Sequence, residues 1–503
     1  MSTVNAINQW IGQALKNQEI RSNGISRFYC YGFFMLAFFL YAPHSSAATD
    51  LDINLLGNTN KLHTSGYIKN ETAYRFREPR SYTKIRNILY LDSRYTFNNW
   101  SEVFIAGRAY HDLAYDLFEY DTISARTTRD VDQPLAFVEG LPQEKDSSVA
   151  EIRELYLELE SSNADIRIGR QFIIWGVLTG VRVIDEINPM DFREFIIPSL
   201  MDYRIPLWSV KFNSYFDNNA FQAIFIPDIR FHKPAPKGSE WELFQEVDGT
   251  LYPTSFKPKN TEIGFRLSTV EEDTDLSFSY FYTWDDFPVL YRTALVEQEG
   301  AILNPEFFPR YKRMHIFGST FEKPIMGQIF KMEFAYVIGK YFGLTAVDRD
   351  GDGFLDHQGV LKRDHFRFGA GLDFNILKTE FSPSVTQWVI VNYDSAILQD
   401  RFDTSINLFV RKQFPKRNTV FEMLAIYLVN FQELYLKPKI SFLPTNKFQV
   451  TIGLDLFYGE KSRLGVIARE GRPTELMLVA QRAQFIGNFS NHDRAFVEFK
   501  YSF

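Results

Sequence analysis

Residues 274–285 read TDLSFSYFYTWD, with a large apolar side chain at every second position. The residues on that face would be Leu276, Phe278, Tyr280, Tyr282 and Trp284. Strict alternation with a period of two is typical of a β-strand rather than a helix. The stretch therefore predicts a strand that separates an apolar environment from a polar one.

Alternating segments of this kind recur through the rest of the chain. About 18 can be counted, and they begin near residues 66, 84, 101, 150, 164, 208, 219, 260, 274, 310, 328, 361, 379, 404, 418, 433, 448 and 493. Even-numbered segments are followed by short turns such as FNNW and LPTNK, and most odd-numbered ones by long stretches, among them 119–149, 178–207, 229–259 and 464–492. Short turns at one end and long loops at the other are typical of outer-membrane barrels, whose turns face the periplasm.

The sequence therefore predicts the all-β class, as a transmembrane antiparallel β-barrel of about 18 strands (16–18) without a plug domain. Only residues 49–65 lie between a predicted signal peptide and the first strand, which is too short a segment to fill a lumen. Barrels of 16 to 18 strands can enclose an aqueous channel. We expect a location in the cell outer membrane, with lipid and lipopolysaccharide around the barrel.

The N-terminal region has the features of an export signal. Residues 28–42 (FYCYGFFMLAFFLYA) are apolar, follow Arg21 and Arg27, and precede a stretch of small residues. The run is shorter than the ~20 residues that a membrane-spanning helix needs. We predict a signal peptide with an unusual N-terminal extension over residues 1–48, a short periplasmic segment over 49–65 and the barrel over 66–503.

Charge and motifs exclude several classes of function. The chain has 55 Lys plus Arg against 62 Asp plus Glu and no basic tail, which argues against nucleic acid as a partner. Its histidines are scattered, and the sequence contains no HExxH, GxSxG or CxxCH motif. We expect no enzymatic activity and assign no cofactor with certainty.

The chain ends in a strand that resembles a recognition signal. Residues 493–503 (DRAFVEFKYSF) alternate apolar and polar positions and finish on Phe503. This stretch is similar to the terminal strand read by the outer-membrane assembly machinery, which the resemblance implies as a partner.

Charged residues lie on the polar face of the first five segments, where they would line the lumen. The candidate lumen residues are Arg86, Arg94, Arg108, Arg167, Arg170, Glu154 and Glu158. Two interpretations stay open. Four of the arginines (86, 94, 108 and 167) could form a basic ladder that draws anions through, since rings of charge set selectivity at a constriction. Alternatively they pair with glutamates, including Glu102, because unpaired like charges on adjacent strands repel.

The densest motif is residues 166–195, IRIGRQFIIWGVLTGVRVIDEINPMDFREF, in which a strand runs through Trp175 into a long loop. Arg170 and Gln171 interrupt the apolar alternation, which predicts a bulge that turns Arg170 into the lumen. Asn188-Pro189 is a turn builder, and Asp191 or Glu194 could pin the loop to Arg170 or Arg193. These residues could anchor the loop, contact a solute, or do both.

At this motif the sequence resembles an uncharacterised family of Gram-negative outer-membrane barrels, known by a "domain of unknown function" label and similar in style to alginate-export porins. The residues that carry the resemblance are Gly169-Arg170-Gln171, Trp175-Gly176, Asp185, Asn188-Pro189, Asp191, Arg193-Glu194-Phe195 and Arg204-Ile205-Pro206. The resemblance implies a monomeric porin-like fold and gives no established solute.

Residues 347–358 (VDRDGDGFLDHQ) are similar to a calcium-binding loop. The candidate ligands, in the order of the calcium-loop pattern, are Asp348, Asp350, Asp352, the Phe354 carbonyl and Asp356. Gly359 stands where a bidentate glutamate belongs, so the sequence predicts at most a weak Ca²⁺ site in an extracellular loop, and a bare acidic turn is the alternative.

Together these features favour a porin-like channel for passive or facilitated passage of small polar solutes, anions included. Two alternatives stay open: a plug-less surface receptor for a specific ligand such as a siderophore, and an export partner of a periplasmic complex.

Overall fold

The computed structural model describes residues 61–117, 148–235, 240–241, 250–296, 302–345, 348–460, 466–469, 472–478 and 485–503. The predicted signal peptide and most of the predicted periplasmic segment lie outside these residues. The strands in the first half are β1 Leu62–Arg75, β2 Ser81–Asn98, β3 Ser101–Asp112, β4 Ser148–Glu160, β5 Ala164–Gln171, β6 Leu207–Phe216, β7 Asn219–Ile226, β8 Glu262–Glu271, β9 Thr274–Trp284, β10 Val289–Val296 and β11 Ile302–Arg310. Those in the second half are β12 Arg313–Ile325, β13 Gln328–Gly343, β14 Val360–Ile376, β15 Thr379–Ile390, β16 Phe402–Phe414, β17 Thr419–Leu428, β18 Glu433–Phe442, β19 Phe448–Tyr458, β20 Val466–Arg469, β21 Arg472–Leu478 and β22 Arg494–Ser502.

Eighteen of these strands form one closed antiparallel sheet. Each pairs with its neighbour in the chain, and the ring closes where β1 pairs with β22, for example at Tyr67↔Ser502. The N–H of Phe503 also donates to the carbonyl of Gly66, at 3.0 Å. The predicted antiparallel barrel and its strand number are confirmed, although the first strand begins at Leu62, before the predicted start at residue 66.

The remaining four strands form two hairpins outside the barrel sheet, β10–β11 and β20–β21. Sequence analysis predicted a long connection at 464–492 and did not predict strands in either stretch. The first lies in the connection from β9 to β12, and the second in the connection from β19 to β22.

The two ends of the barrel differ in the length of their connections. At one end, turns of two to five residues join β2 to β3, β4 to β5 and so on around the ring. At the other end lie long connections, including 172–206, 227–261 and 459–493. The predicted alternation of short turns and long loops is confirmed.

Side chains alternate between the outside and the inside of the wall. Phe278 on β9 is 57% exposed on the outer face, whereas its neighbour Ser277 is 1% exposed on the inner face. Apolar residues on other strands, such as Leu89, Phe317 and Ile452, are likewise exposed. An exposed apolar surface of this kind indicates contact with a membrane or with another protein. Among the described residues, no helix is both long and apolar enough to cross a bilayer.

The interior contains an apolar core in addition to polar side chains. The largest core cluster combines residues of the connection 172–206 with inward residues of the wall: Ile173, Trp175, Val183, Ile184, Ile187, Leu207, Ile224, Ile226, Phe281, Met314, Ile316, Ala335 and Val337. This connection, hereafter the inner loop, is therefore packed against the inside of the barrel.

Candidate functional site

The inner loop (residues 172–206) follows β5 and contains only short helical turns, Phe192–Glu194 and Leu200–Tyr203. Just before it, Gly169 adopts φ +141°, a backbone conformation that favours glycine. A Cβ at this position would lie 2.1 Å from the Leu155 carbonyl oxygen of β4. Only glycine therefore fits where β5 runs into the inner loop.

Glu333 on β13 is the main anchor of the first half of the inner loop. Its carboxylate accepts hydrogen bonds from the backbone N–H groups of Val177 at 2.6 Å, Leu178 at 2.7 Å and Ile184 at 3.2 Å. The residue is 1% exposed. One carboxylate thus gathers three backbone donors that would otherwise be unpaired in the interior.

Further contacts fix the start of the inner loop to the wall and join its two arms to each other. The Trp175 indole N–H donates to Gln222 on β7 at 2.6 Å. The Asn188 side chain accepts from the Ile173 N–H at 2.9 Å and donates to the Ile205 carbonyl at 2.9 Å. Because Asn188 bridges both arms of the loop, it holds the turn at Asn188-Pro189 closed.

A buried ion pair joins the two arms of the inner loop. Arg204 donates to the Asp185 carboxylate, and Arg204 is 1% exposed. Asp185 also accepts the Trp175 backbone N–H at 3.4 Å. A buried pair of this kind is costly to break on one side only, because it leaves an unpaired charge in the interior.

The inner loop reaches strands on several sides of the barrel. Glu186 pairs with Arg367 on β14 at 2.8 Å. Glu194 pairs with Lys84 and Arg86 on β2. Lys437 on β18 donates to the Ile197 carbonyl at 2.6 Å. These strands lie far apart in the ring, so the loop crosses the lumen rather than following one wall.

A cavity of about 710 Å³ lies between the inner loop and the wall. Apolar residues from β15, β16 and β17 line one part of it: Trp388, Phe409, Leu424, Ile426 and Leu428. Charged residues from β1, β2 and β3 line another part: Lys69, Glu71, Lys84, Arg86 and Arg108. Glu422 on β17 and Lys437 and Lys439 on β18 also line the cavity, so its lining is mixed, with apolar and charged side chains.

The structure gives each of the four ladder arginines a carboxylate partner. Arg94 lies 3.1 Å from Glu102, Arg108 2.6 Å from Glu151 and Arg167 2.8 Å from Glu158. Arg86 pairs with Glu194 and lies 3.2 Å from Asp112. The geometry favours the pairing interpretation over a ladder of free positive charges.

The remaining predicted residues are placed as follows. Glu154 accepts the Phe172 backbone N–H at 3.4 Å, at the start of the inner loop.

The pairing of β5 with β6 runs without a register shift through Arg170↔Trp208. Arg170 therefore falls on the same face of β5 as the exposed Ile168, and the predicted bulge that would turn it into the lumen is wrong.

The two acidic residues predicted to anchor the inner loop, Asp191 and Glu194, both form ion pairs. Asp191 does pair with Arg193, with Arg193 Nε 2.8 Å from Asp191 Oδ1. Glu194 pairs with residues of β2 instead of Arg170 or Arg193. Asp191 therefore pairs locally with Arg193 within the inner loop, whereas Glu194 joins the loop to β2.

No anchoring role was predicted for several residues: Glu71, Lys84, Glu151, Asp185, Glu186, Arg204, Glu333, Arg367 and Lys437. Of these, Asp185 and Arg204 are among the residues that carry the family resemblance, and Glu71, Glu333, Arg367 and Lys437 lie on the predicted polar face of their segments. The sequence around Glu333 does indicate a special role for this residue. Glu333 is acidic, whereas the next residues on the same inward face of the strand are Ala335 and Val337. An isolated carboxylate among apolar neighbours needs hydrogen-bond donors, which indicates that another segment packs against it.

Acid is expected to weaken the attachment of the inner loop. Burial would raise the pKa of Glu186, but the charges of Arg367 and Arg182 outweigh it and hold the pKa at about 2. A carboxylate with a depressed pKa stabilises the folded state above its ordinary pKa and loses that contribution as pH falls toward the depressed value. Burial lowers the pKa of His232 to about 3, so this histidine is neutral from pH 7 to pH 5 and takes up a proton only in the same acid range as Glu186.

We therefore expect constant channel current in planar bilayers from pH 7 to pH 5, and a change in current as pH falls from ~4 toward 2. The variant Glu186→Gln should show a smaller acid response. A transition centred between pH 6 and 7 would contradict this assignment.

The acidic loop after β13 brings three of the predicted metal ligands together. Oxygen atoms of Asp348, Asp350 and Asp356 lie within 4.8 Å of one another. Asp348 also accepts backbone N–H groups of Gly351 at 2.7 Å and Gly353 at 2.8 Å, as in a polar turn.

The other two predicted ligands are arranged differently. The Asp352 carboxylate accepts the Phe354 N–H at 2.8 Å. The Phe354 side chain is exposed.

Weak calcium binding by this loop stays a prediction. Millimolar Ca²⁺ should raise the melting temperature of the purified barrel slightly, since sites without the bidentate ligand bind in the ~0.1–1 mM range. Asp350→Ala should abolish the increase, and Asp400→Ala serves as a control in a different loop. A melting temperature that responds to neither calcium nor Asp350→Ala would leave only the acidic turn.

Comparison with known proteins identifies a family and several structures of similar fold. A family model described as "Protein of unknown function (DUF1302)" matches residues 81–349, more than half of the 503 residues. This confirms the resemblance to a family of unknown function. No curated protein matches the sequence.

Three solved structures illustrate the likeness. OccAB2 of Acinetobacter baumannii is 9% identical, with 88% of this chain and 98% of that chain covered and a TM-score of 0.48. OccK8 (OprE) of Pseudomonas aeruginosa is 10% identical, with 88% and 98% covered and a TM-score of 0.46. The outer membrane protein OpdK of Pseudomonas aeruginosa is 8% identical, with 88% and 99% covered and a TM-score of 0.44.

Proposed function

Since this chain belongs to the DUF1302 family, whose description names no solute, we propose a function from the geometry of the barrel itself. The protein is a porin-like channel of the outer membrane that conducts small solutes past the inner loop. The observation that carries this proposal is the inner loop, which is anchored on several sides of the lumen and leaves a cavity of about 710 Å³. Cavities of this size accommodate small organic molecules.

The outer face of the barrel supports the membrane location. Its exposed apolar side chains would be covered by lipid, because antiparallel barrels that span a membrane carry an apolar band outside. The short turns would then face the periplasm and the long connections the cell exterior. Export by the predicted signal peptide and insertion by the outer-membrane assembly machinery are part of the same proposal.

The lining supports passage of small polar solutes, anions included, along the charged part of the cavity. The apolar part, with Leu424 and Ile426, would let solutes with an apolar portion pass as well. Because the arginines are paired with carboxylates, we expect only moderate charge selectivity. Catalysis is not part of the proposal.

Reconstitution of the purified protein in planar bilayers tests the proposal. We expect discrete single-channel currents, and their absence at all voltages would overturn the channel function. High-affinity capture of a ligand by whole cells without such currents would favour a surface receptor. Co-purification with an inner-membrane pump would favour an export partner.

The ratio of anion to cation permeability tests the role of the four ladder arginines. A pore that prefers cations would rule out the basic ladder.

A further inference from the structure

The cavity between the inner loop and the wall contains one cation without an ion pair. Arg182, on the inner loop, lines this cavity. Each of the other lysines and arginines in the lining has a carboxylate within ion-pair distance. In the part of the chain that the structure describes, no carboxylate lies that close to Arg182. Its positive charge is therefore not neutralised by a direct partner in the chain.

The acidic residues that follow Arg182 in the chain have other partners. Asp185 pairs with Arg204, and Glu186 pairs with Arg367. The Arg182 guanidinium donates from Nη1 to the Asp185 carbonyl at 2.7 Å, which fixes its position. Among the described residues its Nε and Nη2 make no hydrogen bond, and neither atom is buried. Two nitrogens of Arg182 are thus available to donate to a ligand in the cavity.

Tyr203 contributes a hydroxyl to the same cavity. Burial raises the pKa of Tyr203, and the charge of Arg182 acts against this rise, so the two side chains lie near each other. The Tyr203 hydroxyl has no hydrogen-bond partner within the described ranges. A guanidinium and a hydroxyl that both have free donors are suited to a carboxylate, because Arg binds carboxylates through paired N–H groups.

The chain next to Arg182 packs against a part of the wall that carries apolar side chains. A Cβ at Gly180 would lie 3.0 Å from the Cβ of Asn407 on β16. Phe409 is two positions further on the same face of β16, and Leu424 on β17 is its register partner. Phe409 and Leu424 both line the cavity. The cavity therefore has apolar side chains in the neighbourhood of Arg182.

These apolar side chains indicate what the cavity holds. Phe409 and Leu424 are only partly buried. Covering such surface with an apolar group stabilises a complex by roughly 25 cal/mol per Å². Pockets for organic molecules combine an apolar lining with a few fixed polar groups, and a volume of about 710 Å³ is within their range. The lining thus favours a ligand that has both an apolar body and an anionic group.

We propose that this cavity binds aliphatic carboxylates, with the carboxylate at Arg182 and Tyr203 and the hydrocarbon chain along Phe409 and Leu424. The inference rests on the proposed channel function and deepens it, because it names the class of solute that the channel would carry. One lining carboxylate, Glu498 on β22, also lacks an ion pair among the described residues. The test therefore includes a ligand with a positive headgroup.

Isothermal titration calorimetry of the purified full chain in lipid nanodiscs, with empty nanodiscs as the blank, tests the site with octanoate, butanoate and octylammonium. We expect octanoate to bind about tenfold more tightly than the other two, since only octanoate has both a long chain and a negative charge. Arg182→Gln should weaken octanoate binding by about the same factor, and Arg182→Lys should retain part of it. Arg94→Gln is the matched control, because Arg94 is an arginine of the inner face that lies outside the cavity.

The variant Phe409→Asn tests the apolar part separately. It should weaken the binding of octanoate and leave that of butanoate unchanged, while the circular dichroism spectra of all variants stay those of the parent. Equal binding of octanoate and octylammonium by the parent, or unchanged octanoate binding in Arg182→Gln, would overturn the site. The titration requires no current. Octanoate binding by a protein that does not conduct would refute the channel alone, and currents without octanoate binding would refute the site alone.

Discussion

Replacing Glu333 by alanine is expected to raise the single-channel current severalfold and to make it noisy. The carboxylate accepts three backbone N–H groups of the inner loop, from Val177, Leu178 and Ile184. Hydrogen bonds to a charged group are each worth about 1.5–3 kcal/mol, and buried donors left without a partner are costly. Without Glu333 the first half of the loop should leave the wall and widen the passage.

The variant Glu333→Gln should give an intermediate current, because an amide oxygen can still accept from some of these donors. Glu380→Gln serves as the control, since Glu380 is an exposed carboxylate of the same barrel whose ion pair with Arg411 measures 4.0 Å. Currents of Glu333→Ala that match those of the parent would show that the inner loop does not limit passage.

Breaking the Asp185–Arg204 pair from one side is expected to produce the largest loss of stability. Asp185→Asn would leave the Arg204 guanidinium, 1% exposed, without its counter-charge. Removing one partner of a buried pair typically costs about 3–5 kcal/mol. Denaturant unfolding followed by tryptophan fluorescence measures the loss, since Trp175 packs within the same core.

The double variant Asp185→Asn/Arg204→Met should recover much of that loss, because replacing both charges with neutral groups removes the unpaired charge. Arg349→Gln is the control, since it breaks an exposed pair with Asp394 that measures 2.7 Å and should change stability little. If Asp185→Asn alone unfolded at the denaturant concentration of the parent, the pair would not stabilise the inner loop.

Much of the barrel could be predicted from the sequence because the pattern is local. A period of two at residues such as Leu276 and Phe278 depends only on neighbouring positions, and so does the contrast between short turns and long loops. The partners of the inner loop could not be found this way. Val177 and Glu333 are 156 positions apart and meet only after the ring has closed.

In the candidate site, the face on which a residue lies could be predicted from the sequence, but its partner could not. Arg86, Arg94, Arg108 and Arg167 lie on the inner face, because strand alternation fixes the face, whereas Arg170 on β5 lies on the outer face. Their partners depend on register, and the shift between β3 and β4 at Ala106/Gly107 brings Glu151 opposite Arg108. The hairpins β10–β11 and β20–β21 were missed, because strands that form within a long connection do not change the number of strands in the barrel.

The pairing of β1 with β22 has a consequence for how this chain acquires its structure. The strands that close the ring lie at opposite ends of the described sequence, so every arrangement short of the full set leaves two open edges with unpaired N–H and C=O groups. Pairing of such distant segments is slow, because a long chain must be ordered before the contact forms. Loss of the last strand would thus leave an open sheet prone to aggregation, rather than a slightly smaller barrel.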